Sequence, residues 1–358
     1  MTADTIRSQK KIVYSVQILR GVAAFFVVLH HVLLQLYSRG SGREFDQGAA
    51  GVDIFFVISG FVIYVAGRNL DWSEFARRRI VRIVPLYWMF LVLKIVFWKL
   101  SGGASPRPIG SLSYIVSSFL FIPAYRGDSP DPTPLITSAW TLNYEIYFYL
   151  VCSVILFAVP RRFFVIGVFL VIGLTSMGGL GLTVSTHILQ IPAILSLFNP
   201  ICLEFLAGIV LGILWIRSGN WPTGFGFILL CISVAWFCIA PKPGLIDFHR
   251  PLFWGIPSIL LVASFLIFEL KFNFRRFKFL LLLGDSSYAL YLSHSAVLPI
   301  LDKILTKLRI FWEVEAVILS LICILVGIVI HLFVERPMTA RVSRILKLKT
   351  KTPIVESV

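Results

Sequence analysis

The sequence predicts an all-α polytopic membrane protein, a bundle of about ten transmembrane helices with both termini in the cytoplasm. Three observations predict it. Of the 358 residues, 58% are hydrophobic and 14% charged, where a soluble domain has about 45–50% and about 25%. The mean hydropathy is +0.87. Apolar stretches close to the ~20 residues needed to span hydrocarbon recur along the whole chain. The same figures exclude a collagen, a disordered chain and a small disulfide scaffold.

Ten segments qualify as spans: 16–38, 51–67, 85–101, 138–159, 162–180, 197–217, 222–240, 251–270, 279–302 and 314–334. The first is too long for a signal peptide, carries Arg20, His30 and His31, and lacks a small-residue cleavage site. The second and third are short, and Pro85 suits the start of the third. Stretch 111–122 is apolar but too short to cross, so it reads as an interfacial or re-entrant piece. With the N-terminus inside, the inner segments hold 21 Lys and Arg and the outer loops 9, which places both termini in the cytoplasm. The chain divides into a tail over 1–15, one membrane domain over 16–337 and a basic tail over 338–358.

The net charge of +15 reads as this inner-loop bias and as contact with membrane lipids, not as nucleic-acid binding. The five cysteines, an odd number with no CxxC, lie in apolar stretches. They read as buried small hydrophobes and give neither a disulfide framework nor a metal site.

Ionisable groups inside spans are costly and therefore mark candidate sites. They are Arg20, His31, Asp53, Lys94, Glu145, Glu204, Asp285, His294 and His331. Arg20 and His31 are eleven residues apart, three helical turns plus about 20°, so they share a face about 16 Å apart along the axis. His30 points about 80° away from Arg20. A snorkelling arginine and a structural histidine would give the same pattern. His31, Asp53, Glu145 and His294 all fall in the outer halves of their helices, the collection of a base and carboxylates that acid–base chemistry needs. Shared depth leaves their azimuths open, and for Glu204 a structural hydrogen bond serves as well.

The run EFARRRIVRIVPLYW (74–88) puts Arg77, Arg78, Arg79 and Arg82 at the inner mouth of the third span, with Arg79 and Arg82 on one face. Such forks suit phosphate oxygens, and equally a positive-inside anchor. Ser59 and Gly60 suit close helix packing. Tyr288, Tyr291 and His294 line one face at three-residue steps.

Together, LRGVAAFFVVLHH (19–31), GVDIFFVISGF (51–61), FARRRIVRIVPLY (75–87), WTLNYEIYFY (140–149), SYALYLSH (287–294) and VERP (334–337) resemble the acyltransferase family 3. These are integral-membrane O-acyltransferases of bacterial surface glycans, and the likeness runs over about residues 15–337. The stretches around 16–64 are most similar to the rhizobial exopolysaccharide acetyltransferases. The resemblance implies a multi-pass protein of the bacterial inner membrane. Its acyl donor would be cytoplasmic acetyl-CoA, used without a metal, and its acceptor a sugar hydroxyl of an exopolysaccharide or its lipid-linked oligosaccharide precursor. A second copy of the chain is a compatible partner. Carried onto this sequence, His31 is the catalytic histidine and general base, with Asp53 or Glu145 beside it. Arg20, Arg78, Arg79 and Arg82 belong to the CoA side, and Trp140, Tyr288 and His294 to the acceptor. Position 30, commonly Tyr in the family, is His here, and helical phase favours His31. Many relatives carry a fused esterase-like domain that this sequence lacks. The competing reading is a glycan or glycan-lipid exporter, which would also put charges at mid-depth; no internal repeat of the kind that favours transporters is visible.

Overall fold

The computed structural model describes residues 13–101, 110–126, 132–185, 197–217, 221–240, 249–308 and 310–348, and among these all regular structure is helical. Helix α1 (Tyr14–Tyr37) is uninterrupted by Pro. It packs against α2 (Gly51–Val62), α9 (Ile256–Glu269), α10 (Lys278–Asp285), α11 (Ser287–Leu305) and α12 (Trp312–Ile330), so the Arg20–His31 face lies at the centre of the bundle. Around it stand α3 (Trp72–Leu100), α4 (Leu112–Phe119), α5 (Trp140–Ala158), α6 (Phe164–Ser185), α7 (Cys202–Arg217), α8 (Thr223–Ile239) and α13 (Arg336–Ile345).

Each of the ten apolar segments carries helix. Among the described residues, six helical stretches are long and apolar enough to cross a membrane by length and composition: Tyr14–Tyr37, Asp46–Gly67, Trp72–Leu100, Thr137–Ala158, Pro251–Glu269 and Trp312–Ile345. The chain is a multi-pass membrane protein. Large apolar side chains such as Phe97, Leu100, Leu174 and Phe311 are exposed, the surface that lipid covers.

Lipid tails are as apolar as leucine, so helices here are held by close van der Waals packing. Two glycine crossings provide it. A Cβ at Gly60 would stand 2.0 Å from the Phe205 carbonyl oxygen, and one at Gly208 would stand 2.0 Å from that of Val57, which fixes α2 against α7. A Cβ at Gly284 would stand 2.1 Å from the Gln17 carbonyl oxygen, so α10 crosses α1 backbone to backbone. Phe148 and Phe205 stack at 4.0 Å, with Phe56 4.8 Å from Phe205, joining α5 and α2 through α7.

Three expectations change. The third span does not begin at Pro85: α3 starts at Trp72 and Pro85 lies inside it. Asp71 caps it by accepting from the Ser73 N–H at 3.0 Å, and Glu74 pairs with Arg78 at 2.7 Å. This start continues through Pro85, whose missing donor a bundle tolerates, so the arginine run is helical. The ninth segment is broken at Ser286 into α10 and α11. Cys231 and Cys238 are exposed on α8, not buried, on an apolar helix whose outer face borders lipid.

Stretch 111–122 forms the eight-residue α4. It is too short to cross at 1.5 Å per residue and is fastened to α3, where Tyr87 Oη donates to the Ser118 carbonyl (3.0 Å) and Trp88 Nε1 to that of Phe119 (2.9 Å). The basic tail expected over 338–358 is helical as far as Ile345, and residues 349–358 lie outside the described residues.

Candidate active site

A cavity of about 80 Å³ opens among α1, α2, α3, α5 and α11, lined by Arg20, Phe55, Phe56, Arg79, Arg82, Thr141, Glu145, Tyr149, Tyr288 and Tyr291 among others. Its cations come from two helices. Arg20 is 7% exposed on α1, within electrostatic reach of Glu145 and Glu335. Arg79 and Arg82 share one face of α3, as their three-residue spacing requires. The Arg79 guanidinium lies 5.6 Å from the Phe75 ring and 5.5 Å from the Tyr149 ring. Arg82 donates to Glu335 Oε1 at 2.8 Å and lies 5.6 Å from the Tyr288 ring. Glu335 is also held by His331 Nδ1 at 2.8 Å. Tyr149 Oη donates to Glu145, and Tyr288 Oη to the Ile83 carbonyl at 2.8 Å.

Three guanidinium groups thus meet two carboxylates, and donors are left over. Arg79 Nε and Arg82 Nη2 are buried and meet no hydrogen-bond partner among the described residues. A buried donor without a partner costs free energy that an acceptor entering the cavity would restore.

Thr141 and Tyr291 also line the cavity, their hydroxyls 2.8 Å apart; Tyr291 Oη also donates to the Ser138 carbonyl. Beyond it stand two imidazoles. The Tyr291 ring is 5.9 Å from that of His294, and the His294 ring is 4.9 Å from that of His31. His31 Nδ1 lies 2.8 Å from the Val27 carbonyl oxygen. A carbonyl only accepts, so Nδ1 carries the hydrogen and Nε2 keeps its lone pair. The His30 ring stands edge-on to that of His31 at 5.2 Å, its Nδ1 2.8 Å from the Phe45 carbonyl oxygen.

The comparisons with known proteins agree on what such a chain is. The profile described as an acyltransferase domain, acyltransferase family 3, matches residues 13–333. The chain belongs to this family. It is 32% identical over 310 residues to the exopolysaccharide production protein ExoZ of Rhizobium meliloti, covering 84% of this chain and 92% of that one. It is 26% identical over 364 residues to the putative peptidoglycan O-acetyltransferase YrhL of Bacillus subtilis, covering 89% of this chain and 54% of that one, so it spans about half of YrhL's length. The acyltransferase MdmB of Streptomyces mycarofaciens is 32% identical over 109 residues, 29% of this chain and 27% of that one. No solved structure matches.

Within this acyltransferase the structure brings together Arg20, Arg79, Arg82, Glu145 and Tyr288, and separately His31 and His294. Asp53 does not reach the histidines. It is fully buried and receives two bonds from Arg250, Nε to Oδ1 at 2.9 Å and Nη2 to Oδ2 at 2.7 Å. Arg250 is 4.8 Å from the Trp254 ring and 5.8 Å from the Trp140 ring, so Trp140 flanks this ion pair and does not line the cavity. Glu145 faces the arginines, and Arg78 turns to Glu74 outside the cavity. No carboxylate pairs with His31 among the described residues.

Of the remaining intramembrane ionisable groups, Lys94 Nζ donates to the Leu135 carbonyl at 2.6 Å and Gln17 donates to Asp285. Glu204 is buried beside Asp53, and neither of its oxygens meets a hydrogen-bond partner among the described residues. Arg250 and Tyr149 were not singled out from the sequence. A buried Asp53 demands a cation, which is the signal that could have found Arg250 in what reads as a loop. No three His, Cys, Asp or Glu side chains converge as a metal-ligand set among the described residues.

Proposed function

We propose that this chain is an inner-membrane O-acyltransferase that moves an acetyl group from acetyl-CoA to a sugar hydroxyl of an exopolysaccharide or its lipid-linked precursor, with His31 as general base. The bundle crosses the membrane ten times with both termini inside, so the arginine cavity faces the cytoplasmic half and His31 the outer half. The observation that carries the reading is the orientation of His31. With Nδ1–H given to the Val27 carbonyl, the free Nε2 lone pair suits removal of a proton from an attacking hydroxyl.

The unpartnered donors of Arg79 and Arg82 fit an anionic acyl carrier. A phosphate of the donor would complete both arginines, and Arg20 would hold the carrier where it enters the bundle. Only the slender arm of the donor enters the bundle, and its bulk stays at the inner mouth. The arm must then span the ~16 Å of helix between Arg20 and His31 and pass Tyr291. In direct transfer the acceptor oxygen attacks the thioester carbonyl as His31 Nε2 takes its proton, and the thiol leaves with that proton.

The test is free-thiol release from acetyl-CoA by purified protein, with and without acceptor oligosaccharide. The wild type releases thiol only with acceptor, and His31→Ala lowers the rate by about 10²–10⁴-fold. A folded, fully active His31→Ala protein overturns the base. Transport of glycan without thiol release would return the exporter reading.

A further inference from the structure

The histidine beyond Tyr291 has a partner problem that the transfer reaction resolves. His294 is fully buried, and its Nδ1 lies 3.1 Å from the Leu290 carbonyl oxygen, four residues back on α11. His31 makes the same bond four residues back on α1. Each Nδ1 therefore bears a hydrogen, and in the neutral state both Nε2 atoms are acceptors. Two acceptors cannot bond to each other, and His294 Nε2 is buried without a hydrogen-bond partner. Yet the rings are in contact, 4.9 Å apart at 55°, with no hydrogen bond between them in this two-acceptor state. The pair lacks one proton.

We infer that His294 is a positioning residue for the acyl transfer: its Nε2 accepts the hydrogen bond of the proton that His31 takes from the acceptor hydroxyl. This rests on the reading of His31 as general base. As the acceptor O–H bond breaks and the ester C–O bond forms, the proton goes to His31 Nε2 and is shared with His294 Nε2. When the C–S bond of the thioester breaks, the proton leaves with sulfur as the thiol, and the pair returns to its two-acceptor state. The bond between the imidazoles exists only while the charge does, so it stabilises the step and not the ground state. The two carbonyls hold both rings in the required tautomer through the cycle. Of the flanking groups, Tyr291 Oη is engaged by Ser138 and Thr141, and His30, its ring 5.2 Å from that of His31, has Nδ1 on the Phe45 carbonyl.

The test compares His294→Leu and His294→Gln in the full chain, purified in detergent and checked for monodispersity, with saturating acetyl-CoA and varied acceptor. Leu removes the acceptor atom, while the Gln amide oxygen can still accept from a protonated His31. His294→Leu is expected to lose about 10²-fold in kcat, at the low end of a general base's contribution, with the acceptor KM unchanged. His294→Gln should recover about tenfold of that. The solvent deuterium isotope effect on kcat should rise in the Leu variant, because proton transfer becomes limiting. Equal losses in Leu and Gln, or a raised acceptor KM at unchanged kcat, overturn the inference in favour of packing or sugar binding. Should neither variant fold, ¹⁵N-histidine spectra of the wild type decide: hydrogen on Nδ1 of both residues supports the pair, and on Nε2 of either overturns it. An active His31→Ala protein defeats the parent reading. An inactive His31→Ala beside a fully active His294→Leu defeats this inference alone.

Discussion

Arg250 and Arg79 are both guanidinium groups carried into an apolar bundle, and the fold treats them in opposite ways. Arg250 gives two bonds to the two oxygens of Asp53, between the rings of Trp254 and Trp140, and is 3% exposed. Arg79 is laid on the rings of Phe75 and Tyr149 with Nε buried and unbonded, and its neighbour Arg82 keeps Nη2 unbonded although its other arm holds Glu335. The first is a closed pair that ties the start of α2 to the residue before the Pro251–Gly255 turn. The second is an open set whose donors await an acceptor. A guanidinium in a bundle is thus no sign of a site by itself.

The comparison breaks most visibly at Asp53. Asp53→Leu removes both bonds to Arg250 and leaves only the neighbouring Glu204 carboxyl to balance it; it should cost about 3–5 kcal/mol and lower recovery of monodisperse protein. Asp53→Leu with Arg250→Met should restore much of it, because an apolar pair can replace a buried ion pair. A well-folded single variant would show that the pair holds nothing. On the open side the result inverts. Arg79→Met removes the unbonded Nε and the guanidinium's contacts with the Phe75 and Tyr149 rings, so the thermal midpoint should move far less than in Asp53→Leu. Binding of acetyl-CoA, read by titration, should weaken about 10–100-fold, since a hydrogen bond to a charged group is worth about 1.5–3 kcal/mol. Unchanged affinity would place the donor elsewhere.

The sequence carried the helices and the phase of polar groups along each, because both depend on spacing along one chain. The phase of Arg20 and His31, the shared face of Arg79 and Arg82, and the stripe Tyr288–Tyr291–His294 all follow from 3.6 residues per turn. What it did not carry is azimuth between helices. Asp53 and Glu145 lie in the same stretch of depth as His31 by counting, yet one faces Arg250 and the other Tyr149 and the arginines. Arg250 was hidden for the opposite reason: it lies just outside an apolar run, where an arginine ordinarily meets water. Pro85 misled because proline is expected at helix starts, while Asp71, a good cap fourteen residues earlier, already opened the helix.

A smaller effect sharpens the comparison from the glycine crossings. Gly208→Ala puts a Cβ within 2.0 Å of the Val57 carbonyl and 2.8 Å of the Phe61 backbone nitrogen, so α2 and α7 must part. The expected destabilisation is about 1–3 kcal/mol, read as a lower thermal midpoint. Acetyl-CoA affinity should fall less than in Arg79→Met, because the arginines stand on α3 and α1.

The smallest effect belongs to the cap that orients the arginine helix. Asp71 accepts from both the Ser73 side chain (2.7 Å) and the Ser73 N–H (3.0 Å), and these bonds hold its carboxyl below the usual carboxylate range. A carboxyl depressed in the folded state contributes stability above its unfolded value of about 3.9 and loses it as pH falls through the folded value. Asp71→Ala should therefore lower the thermal midpoint slightly at pH 7, and the difference from wild type should shrink below about pH 4. If the cap also fixes the approach of Arg79 and Arg82, acetyl-CoA affinity at pH 7 falls with it, by far less than in Arg79→Met. An affinity unchanged in Asp71→Ala would mean that the packing of α3 against α5 and α13, not its first turn, holds the arginines in place.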